Sequence, residues 1–115
     1  MRHFLFFCSL FLIFIDAEAV SIHLGEEGIE KADSLISTVS VEISKVRPVR
    51  ALELATEALS LSRDIRYSKG KAMSCFYIGQ VMSYLGNYQK SLEYLSHAEE
   101  ERYSRDNPII QSEIS

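Results

Sequence analysis

The side chains of this 115-residue chain that could hold a metal ion or act as a nucleophile are few: the run Glu99-Glu100-Glu101, three histidines and two cysteines. The acidic run does not suit a metal. Consecutive residues of a helix point about 100° apart, so three neighbouring carboxylates cannot converge on one ion, and a solvated face is the expectation. His97 stands between Ser96 and Ala98 with no second histidine at metal spacing, and His23 lies in a polar stretch; both read as surface residues. Cys75 sits among Ala72, Met73, Phe76 and Ile78 at helical spacing, as a small buried residue would, and no histidine is close in sequence to act as its base. No glycine-rich phosphate loop, nucleophile elbow or paired-carboxylate motif occurs. The expected catalytic, metal and cofactor sets are therefore empty, and the chain reads as a non-enzyme.

Charge and composition narrow the classes further. Twelve Lys+Arg against 16 Asp+Glu give a formal charge of −4, which disfavours a nucleic-acid binder held by phosphate contacts. The length allows one small domain. Five of the six phenylalanines (Phe4, Phe6, Phe7, Phe11 and Phe14) fall in the first 19 residues, together with Cys8. There, Met1-Arg2-His3 is a short basic start, Phe4 to Ile15 is an apolar run interrupted only by Ser9, and Ala17-Glu18-Ala19 offers small residues where a signal peptidase reads. This is the layout of a secretory signal peptide over residues 1–19. A retained anchor competes, but such a run spans only about 18 Å in helix against a hydrocarbon core of about 30 Å. Cleavage near Ala19 implies an exported protein, periplasmic or secreted, with no stable membrane span. It removes Cys8, so Cys75 has no partner for an internal disulfide.

The elements that must position everything else are helices. Residues 20–28, polar and carrying Gly25 and Gly28, read as a flexible lead-in to a domain over residues 29–115. Ile29 to Val46 fits two patterns: apolar residues at 29, 32, 36, 39 and 43 share a helical face, while Leu35, Val39, Val41 and Ile43 alternate as in a strand. No other segment looks like a strand to pair with it, so helix is expected. Pro48 suits a first helical turn, and Ala51, Leu52, Leu54, Ala55, Ala58, Leu59, Leu61 and Ile65 form a wide apolar stripe. Tyr67-Ser68-Lys69-Gly70 breaks that run, and a third helix is expected from about Lys71 to Leu85. Gly86-Asn87 ends it and supplies the N-cap of a fourth, Tyr88 to about Tyr103, with Tyr88, Leu92, Leu95 and Ala98 inward. Beyond Asp106-Asn107-Pro108, residues 109–114 look like the first turns of a fifth.

Short connections force antiparallel packing, and the helix pairs repeat. Laying residues 51–58 (ALELATEA) over residues 91–98 (SLEYLSHA) gives a 40-residue period with small, Leu, acidic and Ala positions in register. The chain here resembles the tetratricopeptide repeat (TPR) family. Ile78-Gly79 stands for that family's Leu-Gly pair, Met82 for its tyrosine, Gly86-Asn87-Tyr88 for the turn, Ser91 for the small residue, Leu95 for the aromatic and Ala98 for the last alanine. Cys75 replaces the family's Trp and Tyr103 its closing Pro. The resemblance implies an all-α fold of antiparallel helix pairs stacked as a short TPR-like α-solenoid, with about two repeats and the start of a third.

In that family the first helix of each pair lines the concave face. The partner-binding positions this implies are Met73, Phe76, Gln80, Ser83 and Tyr84, although Met73 and Phe76 fit equally well as packing against the preceding pair. The favoured function is an exported protein–protein interaction or scaffolding module that receives a protein or peptide. The alternative is the sensory N-terminal fragment of a TPR-containing signalling or transcriptional regulator, such as an exported part of a bacterial sensor kinase or helix-turn-helix regulator. A small-ligand carrier is a distant third. With a 40-residue period Ser115 falls in the place of Cys75, part-way into another first helix. The expectation is a longer natural chain, or self-association through the C-terminal open end, with Leu92, Tyr94 or Leu95 near solvent.

Overall fold

The computed structural model describes residues 25–106, and every regular element among them is α-helical. In chain order these are α1 (residues 25–44), α2 (Pro48–Asp64), α3 (Ser68–Tyr84), α4 (Tyr88–Glu100) and a short α5 (Arg102–Arg105). The signal peptide read over residues 1–19, the first part of the lead-in and the fifth helix read at 109–114 lie outside the described residues.

The first three helices end through the same turn chemistry. Val46 N–H donates to the Ile43 carbonyl and Arg47 N–H to that of Glu42; Arg66 and Tyr67 do the same to Arg63 and Ser62, and Gly86 and Asn87 to Ser83 and Met82. This paired closure satisfies carbonyls that a helix end otherwise leaves open, and it requires a left-handed residue at its centre. Val46 (φ 57°), Arg66 (φ 55°) and Gly86 (φ 85°) occupy that place. The helices consequently restart at 48, 68 and 88, a spacing of 20 residues that halves the 40-residue pair period. Pro48 opens α2 with its missing N–H among the unbonded ones, and Asn87 caps α4 by accepting the Lys90 N–H at 3.3 Å.

Several boundaries differ from expectation for identifiable reasons. α1 is a helix because its helical face is the one that packs: Ala32, Ile36 and Val39 are buried, while Val41 from the alternating set is 47% exposed. It also includes residues 25–28, read as lead-in, where Gly28 packs so closely that an added Cβ would stand 3.0 Å from the Ile65 side chain. α3 starts at Ser68. Gly70 is a buried helical residue at the α2–α3 crossing, and a Cβ there would stand 2.1 Å from Ser62 Oγ. α4 stops at Glu100 because the chain is drawn across the start of α3. Ser68 Oγ donates to the Glu101 carboxylate (3.2 Å) and accepts from Tyr103 N–H (3.0 Å), with Lys71 Nζ 3.6 Å from the same carboxylate. Tyr88 and Leu92, expected inward, are each 67% exposed, since α4 packs on α3 and α5 while its outer side meets no helix among the described residues.

The core is made of small residues. Ala32, Ala51, Ala55, Ala58, Ala72 and Ala98 are fully buried, with Leu54, Leu59, Cys75, Phe76, Ile78 and Val81 filling between them. Alanine and glycine contacts allow short distances between helix axes. α1 is further held to the α2–α3 turn by Tyr67, whose hydroxyl donates to Asp33 Oδ1 at 2.7 Å. Burial, and then the bond to and charge of Asp33 with a contribution from Tyr103, push that phenol up to about 12, so it stays protonated and donating at neutral pH.

α3 and α4 approach closely at Gly79. A Cβ there would lie 2.7 Å from Leu95 Cγ, and the Gly79 carbonyl accepts a 2.8 Å bond from buried Ser91 Oγ. In the 40-residue register Val39 stands at the place of Gly79 and Ala55 at the place of Leu95. Both are fully buried in the same core cluster, with the larger residue of the two on α1 rather than on the second helix. Gly79→Val should therefore destabilise the protein by about 1–3 kcal/mol through overpacking. Adding Leu95→Ala should return about 1 kcal/mol or more of the summed single losses. Chemical denaturation of the four-member cycle reads this, and strictly additive losses would show that residues 79 and 95 do not exchange volume.

Candidate functional site

Where the end of α1 meets α3 and α4, the surface opens into a groove of about 430 Å³. One wall is the α1–α2 turn, with Ile43, Val46, Arg47 and Pro48; the other is the second half of α3, with Phe76, Gly79, Gln80, Val81, Ser83 and Tyr84; Ser91 and Leu95 of α4 close the base. Gly79, Ser91 and Leu95, the residues of the α3–α4 crossing, form part of the groove's lining. The helix crossing that packs the core thus borders the concavity.

Four of the five residues marked from the sequence meet here. Phe76 is buried and presents its ring at the floor, Gln80 and Ser83 are exposed, and Tyr84 stands on the rim at 67% exposure. Met73 does not line the groove; it is half-buried, two turns nearer the start of α3 than Gln80. Sequence reasoning missed the opposite wall altogether. Ile43, Val46 and Arg47 belong to the end of α1 and the α1–α2 turn and are brought in by tertiary packing, for which a local pattern carries no signal.

The chemistry on offer is recognition. An apolar floor of Ile43, Phe76, Val81 and Leu95 is ringed by an amide (Gln80), two hydroxyls (Ser83 and Tyr84) and one guanidinium (Arg47). Arg47 is positioned by the buried Glu42, 3.6 Å away, whose side chain is only 12% exposed. The Ser91 hydroxyl is committed to the Gly79 carbonyl. Cys75 lies outside the groove and is buried; burial, reinforced by Glu101 and opposed by Arg63 and Lys71, pushes its thiol up to about 11, so a nucleophilic thiolate is scarce at neutral pH. Among the described residues no group of three or more His, Cys, Asp or Glu side chains could hold a metal ion. His97 is a surface residue on α4, with Nδ1 3.9 Å from Glu100.

No family model, curated protein or solved structure matches the chain.

Val46 is the strained residue of this site. A β-branched side chain in the left-handed region costs about 1–2 kcal/mol, and its counterpart Gly86 avoids that cost. Val46→Gly should accordingly stabilise the protein by about 1 kcal/mol, the relief being partly offset by the greater freedom of glycine in the unfolded chain. The readout is a higher denaturant midpoint at unchanged slope. A lower midpoint would show that the contacts of the valine with the groove wall outweigh its backbone strain.

Proposed function

We propose that this chain is a TPR-like helical-repeat module, with α1–α2 and α3–α4 as its two pairs, that captures a protein or peptide in the groove beside α3. The observation that carries the reading is the convergence of Phe76, Gln80, Ser83 and Tyr84 on one apolar groove. The repeated turn closures at 46, 66 and 86, and the fully buried Ala58 and Ala98 at matching places in the two pairs, support the array. The groove is large enough for one or two bulky side chains, with the floor taking an apolar anchor. Gln80, Ser83 and Tyr84 then bond the partner's backbone, and Arg47 favours an acidic group beside the anchor. The signal-peptide layout of residues 1–19 supports an exported location for this activity, and no helix among the described residues is long and apolar enough to cross a membrane. Leu85 in the α3–α4 turn and Tyr88 and Leu92 on the outer side of α4, all exposed, form the face through which the array would continue or pair with a second copy.

Peptides selected from a random display library on the wild-type protein provide the test. Their affinity for the double variant Gln80→Ala/Tyr84→Ala should fall by about tenfold or more, as for truncation of an interface anchor, with helicity and melting temperature nearly unchanged. Undiminished affinity would place recognition elsewhere, and parallel loss of affinity and helicity would assign the two residues to the core.

A further inference from the structure

A second concavity, of about 390 Å³, shares no residue with the groove. It lies where the last turns of α2, the start of α3, the end of α4 and α5 converge, and its floor is Leu59 and Cys75. Four permanent cations, Arg63, Lys71, Arg102 and Arg105, face two carboxylates, Glu100 and Glu101, in a chain whose overall charge is −4. Neither carboxylate lies within ion-pair distance of an arginine among the described residues. Glu101 is engaged by Ser68 Oγ and Lys71 Nζ, and Glu100, 77% exposed, stands beside His97. Arg63, Arg102 and Arg105 have no carboxylate within ion-pair distance among the described residues, whereas Arg47 and Arg50 are each paired. Arg63, Lys71 and Glu101 line this pocket together with Cys75.

We propose that this pocket binds the phosphoryl group of a small organic phosphate. A carboxylate offers two oxygens and is satisfied by one guanidinium; a phosphate monoester dianion offers three, which suits several guanidinium forks at once. The pocket is larger than a lone phosphate requires, so the ligand carries an organic body that covers Leu59 and Cys75. An extended polyanion is disfavoured by the acidic protein as a whole and by Glu99, Glu100 and Glu101 at this end of α4. Binding involves no bond making or breaking, and the three unbalanced arginines supply the driving force.

The test is thermal melting and calorimetric titration of the intact chain with phenyl phosphate, using sodium acetate and sodium chloride at matched ionic strength as comparisons. Phenyl phosphate should raise the melting temperature and bind saturably, with acetate and chloride weaker. Arg63→Gln/Arg102→Gln should weaken binding by about tenfold or more, and Arg50→Gln, which lies elsewhere on α2, should not. Arg105→Gln alone, on the short α5, gives the same reading where the double variant folds poorly. Equal response to chloride, or unchanged binding by the arginine variants, would overturn the proposal. Vesicles of phosphatidylcholine containing phosphatidic acid separate the remaining source: capture by vesicles without response to phenyl phosphate would also overturn it.

Discussion

The contact between Gly79 and α4 is the constraint on which the rest of the molecule depends. Without a Cβ at 79, Leu95 lies across the backbone of α3 and Ser91 reaches the Gly79 carbonyl, so a buried side-chain hydroxyl that would otherwise go unbonded secures the crossing. Once α3 and α4 are locked at this distance, the opposite side of α3 meets α2 at the Gly70–Ser62 crossing. The groove beside α3 borders the same crossing, since Gly79, Ser91 and Leu95 form part of its lining. Packing and recognition therefore share residues here.

Around that crossing the fold combines relaxed and strained parts. The six fully buried alanines lose almost no side-chain entropy on folding, which suits a small domain with a modest core. Against this stand two non-glycine residues in the left-handed region, Val46 and Arg66, and buried hydroxyls on Ser62, Ser74 and Ser104 with no bonding partner. The strain at Val46 falls on the groove wall. At the other end of α3, Ser68, Lys71, Glu101 and Tyr103 form a polar clasp that turns the chain after α4 and brings α5 over the start of α3. The two concavities thus sit at opposite ends of one helix.

Much of this architecture is legible in the sequence because local chemistry dictates it. Pro48, Gly86 and Asn87 mark helix ends through φ, the left-handed residue and the side-chain cap, and the 3.6-residue stripe of α2 coincides with its buried face. Gly70 is misleading for a physical reason: a glycine serves equally to break a helix and to let another helix approach, and only the partner, Ser62, decides between them. The closures at Val46 and Arg66 are hidden because the residues give no sign of a left-handed backbone. Tyr88 and Leu92 have the periodicity of inward residues, yet burial depends on how many helices pack on α4, which no local pattern contains. Phe76, Gln80, Ser83 and Tyr84, the positions implied by the TPR resemblance that line the groove, lie on one helix, whereas Ile43, Val46 and Arg47 come together with them only through tertiary packing.

α3 is the element shared by the packed helices, covered on one side by α2 and on the other by α4, and the helices should open as one cooperative unit. Native-state amide hydrogen exchange tests it most directly, because protection reports the free energy of opening residue by residue. The amides of residues 72–81 should be the slowest to exchange, approaching the free energy of global unfolding, with α5 and the outer turns of α4 opening first. Fast exchange in α3 while α1 and α2 remain protected would contradict the account, since it would mean that the second pair opens independently of the first.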